Sequence, residues 1–208
     1  MTESRRYGGQ SPAERKQARR ERLIEAGLEV FGTTGFASSS IERLCARASV
    51  SNRYFYEEFA SREALMQAVY DEVLQGASMA GLLTMREEGL TPVERLVIGV
   101  RTYVLVVTSD PRRTRVVHHE VRTVPSMAAR RRETASWVAE LMRDVCGAPP
   151  DPDGLPFVPG LAVLGAVSEV LARWTTSTPR PPVGPLVAEL CRFVEHVVGG
   201  YLTSEPGA

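Results

Sequence analysis

The chain has 208 residues, enough for one two-part unit or two small domains. Its hydrophobic content of 43% supplies a core, and 25 basic residues balance 25 acidic ones, which excludes a uniformly basic nucleic-acid coat and leaves only a local patch for such contacts. No apolar run approaches the roughly 18–20 residues of a bilayer span, and no apolar segment follows the arginine-rich start as in a signal peptide, so a soluble cytoplasmic protein with no membrane partner is expected.

Residues 1–11 read as a flexible polar tail. Pro12 suits a first helical turn, and the pattern from there to Phe31 is helical, with Ile24, Leu28 and Phe31 on one stripe widened by Leu23, Ala26, Gly27 and Val30. Arg15, Arg19 and Arg22 fall on another face. Together with Arg5, Arg6, Lys16 and Arg20 they form a basic cluster opposed only by Glu14 and Glu21; taken alone, such a run is as consistent with a solvated helix face. Gly32 and Gly35 are expected to stop this helix. A second helix is expected from Ser39 to Arg47, capped by a serine among Ser38–Ser40, with Ile41, Leu44, Cys45 and Ala48 inward. A third begins at Ser51, where Val50 and Phe55 have the spacing of a hydrophobic staple. A fourth runs from Ser61 to Gly76 or beyond.

Further helical segments centre on Val93–Thr108, Arg112–His119, Ser126–Cys146, Pro159–Thr175 and Pro185–Tyr201. Thr91-Pro92, Asp110-Pro111, a Pro/Gly/Asp stretch from Gly147 to Gly160, and Pro179–Pro185 separate them. No segment alternates like a strand, and there is no internal repeat. The expected fold is all-α with about nine helices: a helix-turn-helix unit over 12–60 and a helical unit over 61–208. Cys45, Cys146 and Cys191 are widely spaced, odd in number and without a CxxC pair, as buried thiols in a reducing compartment would be.

The stretch from Gly35 to Leu65 reads GF-x-SSS-I-x-x-L-C-x-x-A-SVS-x-x-x-FYEEF-x-S-R-E-x-L. With the preceding helix it resembles, over roughly residues 15–66, the N-terminal domain of the TetR (tetracycline-repressor-like) regulators. In a helix-turn-helix the start of the second helix meets base edges. Here that places Ser51 at the cap and Asn52, Arg53 and Tyr54 in the first exposed turn; Asn can pair with adenine and Arg with guanine in bidentate fashion. The resemblance implies backbone contacts from Tyr56, a hydroxyl near Ser40, and Arg62. Phe55 and Phe59 fall on the opposite, inward face. Two departures stand out. The family usually has glycine at the position of Ser49, where positive φ is wanted, so strain or a different turn is expected. It usually has a small residue at Arg53, whose long side chain either reaches deeper into the groove or clashes with it.

For the rest of the chain the resemblance implies a ligand-binding and dimerisation domain. Polar or aromatic side chains in apolar helices are the pocket candidates: Tyr103, His118, His119, Trp137, Glu169 and Trp174. Arg173, four residues on, is the simple partner for Glu169. Leu161, Leu164 and Gly165, with Leu190, Phe193 and Val197, are candidates for a homodimer interface of four helices. His118-His119-Glu120 suggests a metal site, but adjacent helical residues diverge by about 100° and no HExxH, DxDxG or GxxxxGK[ST] motif is present, so no catalytic residue, metal or cofactor is expected. The expected function is a dimeric regulator that binds a palindromic DNA operator, with repression the expected sign, released by a small apolar or amphipathic molecule. A constitutive or partner-controlled DNA-binding protein and a helical enzyme are the alternatives.

Overall fold

The structure, a computed structural model, describes residues 11–203. The tail expected over residues 1–11, with Arg5 and Arg6, therefore lies outside the described residues except for Ser11. Among the described residues there are nine helices and no strand. Their order is α1 (Pro12–Thr33), α2 (Ile41–Ala48), α3 (Asn52–Glu58), α4 (Arg62–Thr84), α5 (Pro92–Thr108), α6 (111–123), α7 (Ala128–Cys146), α8 (Val158–Thr176) and α9 (Val183–Thr203). Helix α6 is continuous but irregular, with a π-helical stretch, Arg115–Glu120, between two short α segments. We call α1–α3 the head and α4–α9 the body.

Local chemistry sets the first four helix starts. Ser11, Ser40, Ser51 and Ser61 each accept the backbone N–H three residues on, and Glu14 reaches back to Ser11 to complete a capping box. The expected inward stripe of α1 is buried: Leu23, Ile24, Ala26, Gly27, Leu28, Val30 and Phe31. It meets Leu44 and Cys45 of α2, Phe55 of α3, and Leu65, Met66 and Val69 of α4. This core does not end with the head, because Val116, Val117 and Val121 of α6 belong to it.

Gly32 does not stop α1, which runs on to Thr33. The glycine serves close approach instead: a Cβ there would lie 2.5 Å from the Cβ of Arg112 on α6. The chain turns at Gly35, whose φ of +89° is the left-handed region that glycine tolerates. A second core fills the body, from Leu96, Val104 and Val107 of α5 to Val163, Val167 and Leu171 of α8 and Val187, Leu190, Val194 and Val198 of α9. No helix among the described residues is long and apolar enough to cross a membrane.

Candidate nucleic-acid interface and body cavity

Helix α3 is short and directional. Phe55 is fully buried, Phe59 nearly so, and their rings lie 6.0 Å apart. This anchoring turns Asn52, Arg53, Tyr54 and Tyr56 outward. Tyr56 is 59% exposed and Tyr54 42%, so neither is a core aromatic. The Arg53 side chain, 86% exposed, bends back to Glu57, Nε to Oε1 3.2 Å. Ser51 and Ser40 are exposed caps at the starts of α3 and α2; such helix starts present free backbone N–H groups to an anion.

The basic face of α1 is only partly solvated. Arg15, Lys16 and Arg22 are exposed. Arg19 and Arg20 pack on α3 instead: the Arg19 guanidinium lies 4.5 Å from the Tyr54 ring centre and 3.7 Å from Glu58, and Arg20 lies 4.6 Å from the Phe59 ring centre. Two of the expected basic residues thus fix the aspect of the exposed helix. Arg62 also has an intramolecular task. Its Nη1 donates to the Ser39 carbonyl, to Ser39 Oγ at 3.1 Å and to the Phe36 carbonyl at 3.4 Å, and the guanidinium lies over the Phe36 ring. It pins the loop that delivers Ser40.

The turn between α2 and α3 keeps the backbone that glycine would give. Ser49 stands at φ +53°, ψ +47°; its N–H bonds to the Ala46 carbonyl and that of Val50 to the Cys45 carbonyl. This is the Schellman ending, with serine in the left-handed place. The departure at Ser49 therefore means a strained residue, not a different turn.

In the body, two cavities adjoin. The smaller, about 120 Å³ and called the inner chamber for its apolar wall, includes Leu82, Val100, Leu141, Val167 and the half-exposed Trp137, and is partly open to solvent like the other. The outer one, about 460 Å³, is bounded by Tyr70, His118, Arg122, Arg131, Arg132 and Glu169 among others. They share Leu74, Tyr103, Thr134 and Leu164. Tyr103 Oη and His118 Nε2 are 3.0 Å apart, with the rings edge to face. Burial, reinforced by the Arg122 charge, pushes His118 down to about 3, so its imidazole is neutral near pH 7. Burial pushes the Tyr103 phenol up. Glu169 accepts from Arg122 and from Arg173, each at 2.8 Å, and the Arg122 bond foremost holds its carboxyl below the usual range.

Four of the six pocket candidates, Tyr103, His118, Trp137 and Glu169, thus line these cavities, and two do not. His119 is half-buried on neither wall, because adjacent positions on α6 diverge. Trp174 is buried at the end of α8, donating its indole N–H to the Pro181 carbonyl at 2.8 Å under Arg180. The interface candidates divide as well. Leu161, Leu164 and Gly165 stand on the cavity wall. Leu190, only 4% exposed in the single chain, is core against the rest of the body and has no surface left for a partner. Phe193 and Val197 keep exposed surface on α9.

A junction absent from the sequence reading joins cavity and head. Glu120, buried on α6, accepts the Phe36 N–H at 2.9 Å and Arg115 Nε at 2.8 Å, and Arg115 donates to the Thr33 carbonyl at 2.8 Å. His118, two residues before Glu120, faces the cavity. The contact from Glu120 to Phe36 spans 84 positions and leaves no local signature; Gly32 and Gly35, both under α6, were its nearest trace.

Comparison with known proteins follows this division. Residues 23–69 match the model of the bacterial regulatory proteins, tetR family. The HTH-type transcriptional regulator UidR of Escherichia coli (strain K12) is 28% identical over 145 residues, covering 62% of this chain and 72% of UidR. The HTH-type transcriptional repressor DhaR of Mycobacterium sp. (strain GP1) is 31% identical over 77 residues, 37% of this chain and 39% of DhaR. The FadR regulator of Bacillus subtilis, solved in complex with stearoyl-CoA, shares the fold with a TM-score of 0.70 at 17% identity, over 86% of this chain and 98% of that one. With the helix-turn-helix geometry of the head, these likenesses show a DNA-binding domain of the tetR family of bacterial regulatory proteins over residues 23–69, on a chain whose fold is that of TetR-like regulators.

Proposed function

We propose that the chain acts as a homodimeric repressor whose head, 12–60, reads a palindromic operator and whose body, 61–208, binds a small apolar or amphipathic molecule that releases it. Asn52, Arg53 and Tyr54 meet base edges, while Tyr56, Ser40, Ser51 and the exposed basic residues of α1 meet phosphates, which set register without reading sequence. Arg62 acts chiefly by holding the loop of Ser40. Phe193 and Val197 of α9, with the outer side of α8, meet the partner copy.

The observation that carries this reading is α6. One helix lines the cavity through Val117, His118 and Arg122 and grips the head through Glu120. A molecule in the cavity that favours one placement of α6 shifts the spacing of the two heads, provided it binds one state better than the other. The repressor name of DhaR and the acyl-CoA bound to FadR support the sign and the kind of effector.

The test is fluorescence anisotropy of labelled duplexes tiling the gene's own upstream region. One palindromic segment should bind two chains, with affinity falling steeply as salt rises. Arg53→Ala should cost about 1–3 kcal/mol on that segment and relax its sequence preference. Absence of binding on every tile at low salt overturns the reading.

A further inference from the structure

The two chambers of the body differ in chemistry, and the difference has a direction. The inner chamber carries almost no polar surface; a dry cavity of about 150 Å³ holds benzene, so its ~120 Å³ takes somewhat less, a few carbons at the end of a chain. The outer chamber is larger and lies within the roughly 300–1,000 Å³ usual for ligand sites. Three arginines border it, Arg122 from α6 and Arg131 and Arg132 from α7, against one carboxylate, Glu169. That carboxylate is already bonded by both Arg122 and Arg173. Among the described residues, Arg131 and Arg132 take part in no ion pair, and both are exposed where the chamber meets solvent. Arg130, the remaining member of the run, is engaged with Asp71 and Glu133 and borders a third cavity, about 350 Å³, on another side of the inner chamber.

We propose that the effector is an amphiphile with an anionic head: the end of its tail lies in the inner chamber, past Tyr103, and the rest of the tail and the carboxylate or phosphate lie in the outer chamber, the head against Arg131 and Arg132, with Arg122 behind them. This rests on the reading of the body cavity as the effector site. Two neutral polar pairs stand at the neck between the chambers, Tyr103 with His118 and Tyr70 with Thr134. A neutral imidazole adds no charge, so discrimination between anionic, neutral and cationic heads falls to the arginines. Guanidinium groups suit the task because their planar fork takes two oxygens of an anion at once. The arrangement also orients the ligand: the apolar chamber offers an anion no partner, so the head stays beside the arginines of the other chamber, next to α6.

The experiment uses the full-length protein and three probes with one tail, below their micelle concentrations: decanoate, decanol and decyltrimethylammonium. Binding is read by calorimetry and by the fluorescence of Trp137, which lines the inner chamber. Decanoate should bind about tenfold or more tightly than decanol, as one to two charge-assisted hydrogen bonds imply, and the cation should bind weakest. In Arg131→Ala/Arg132→Ala, both exposed positions, the advantage of decanoate should shrink to about threefold or less while decanol is little changed. A lone Arg130→Ala is the control for general charge and should leave the ranking intact. Equal binding of the three probes, or a double variant that keeps the full preference, overturns the proposed head-group site while leaving an effector cavity standing. Failure of all three probes to bind also overturns it; the regulatory reading is then judged separately by the upstream-DNA titration, which needs no effector.

Discussion

Head and body use the same helices with opposite economy of space. In the head, three helices start on serine caps, as does α4, which completes its core, and Phe31, Phe55, Leu23, Leu44 and Leu65 are fully buried together. Each cap fixes an entry angle and is worth about 1 kcal/mol. In the body, α7 and α8 begin at Met127 and Phe157 without a side-chain cap, α6 contains a π stretch, and two adjoining cavities remain between α4, α5, α6, α7 and α8. A surface that must match DNA spacing needs one geometry, and close packing gives it one. On the function proposed for the body, response to a ligand needs room and a small difference between arrangements, and incomplete packing supplies both.

The largest test of this contrast pairs two truncations. Phe55→Ala should cost about 3–5 kcal/mol, since every atom removed leaves a void in a closed core, and that is a large share of a small domain's stability. Leu164→Ala, half-buried on the wall of both chambers, should cost about 1 kcal/mol, because the lost atoms already faced empty space on one side. Urea denaturation followed by circular dichroism measures both. Equal costs would mean that the chambers close in solution and that the contrast in packing is not real.

The next effect lies where the two regions meet. Glu120→Ala strands the buried Phe36 N–H and takes the carboxylate from Arg115, so a loss of about 2–4 kcal/mol is expected. Glu120→Gln keeps an acceptor for Phe36 and should lose less. If Glu120 is also the grip by which α6 moves the head, the alanine variant should bind operator with weakened response to whatever molecule releases the parent protein. Unchanged stability in Glu120→Ala would leave the two regions joined only by apolar packing.

Acid should distinguish the regions as well. All three histidines, His118, His119 and His196, are in the body. The folded-state value of His118, about 3, lies below the ordinary ~6.5 of an unfolded chain. The unfolded state therefore takes up the proton first, and the stability held above pH 6.5 is lost as pH falls towards 3. Between pH 7 and pH 5 this amounts to about 2 kcal/mol. His118→Gln should flatten that part of the profile of unfolding midpoint against pH. A His118→Gln profile that stays as steep as the parent's would place the acid sensitivity elsewhere.

Much of this division was readable in the sequence, and the failures are instructive. Prolines, glycines and capping serines punctuate the chain, so all nine helices fall where the pattern predicts, including the aromatic helix with Phe55 and Phe59 inward. Local pattern cannot say why a residue is small or apolar. Gly32 reads as a helix stop, yet it clears Arg112 from a distant helix. Leu161, Leu164 and Gly165 read as an interface, and the fold shows that they also line a cavity; an apolar face beside a cavity has the same composition as one beside a partner. Arg131 and Arg132 belong to no motif; only the packing of α7 against α5 and α8 sets them at a chamber's edge.

The smallest effect compares one motif in the two regions. Helices α2 and α7 both end with the same pair of backbone bonds, Ser49 to Ala46 and Val50 to Cys45 in the head, Gly147 to Asp144 and Ala148 to Arg143 in the body. The left-handed residue is Ser49 in one, at φ +53°, and Gly147 in the other, at φ +65°. A Cβ in that region is disfavoured by roughly 1 kcal/mol, partly offset by the entropy glycine loses on folding. Ser49→Gly should therefore raise the head's stability by about 0.5–1 kcal/mol, and Gly147→Ser should lower the body's by a similar amount. Thermal unfolding of both variants reads the pair. Ser49 sits one turn from Ser51 and the exposed start of α3, so operator affinity adds a second reading. A Ser49→Gly protein that is more stable but binds operator less well would show that the strain is kept for contact with DNA; equal affinity would make it a tolerated cost of an otherwise closely specified head.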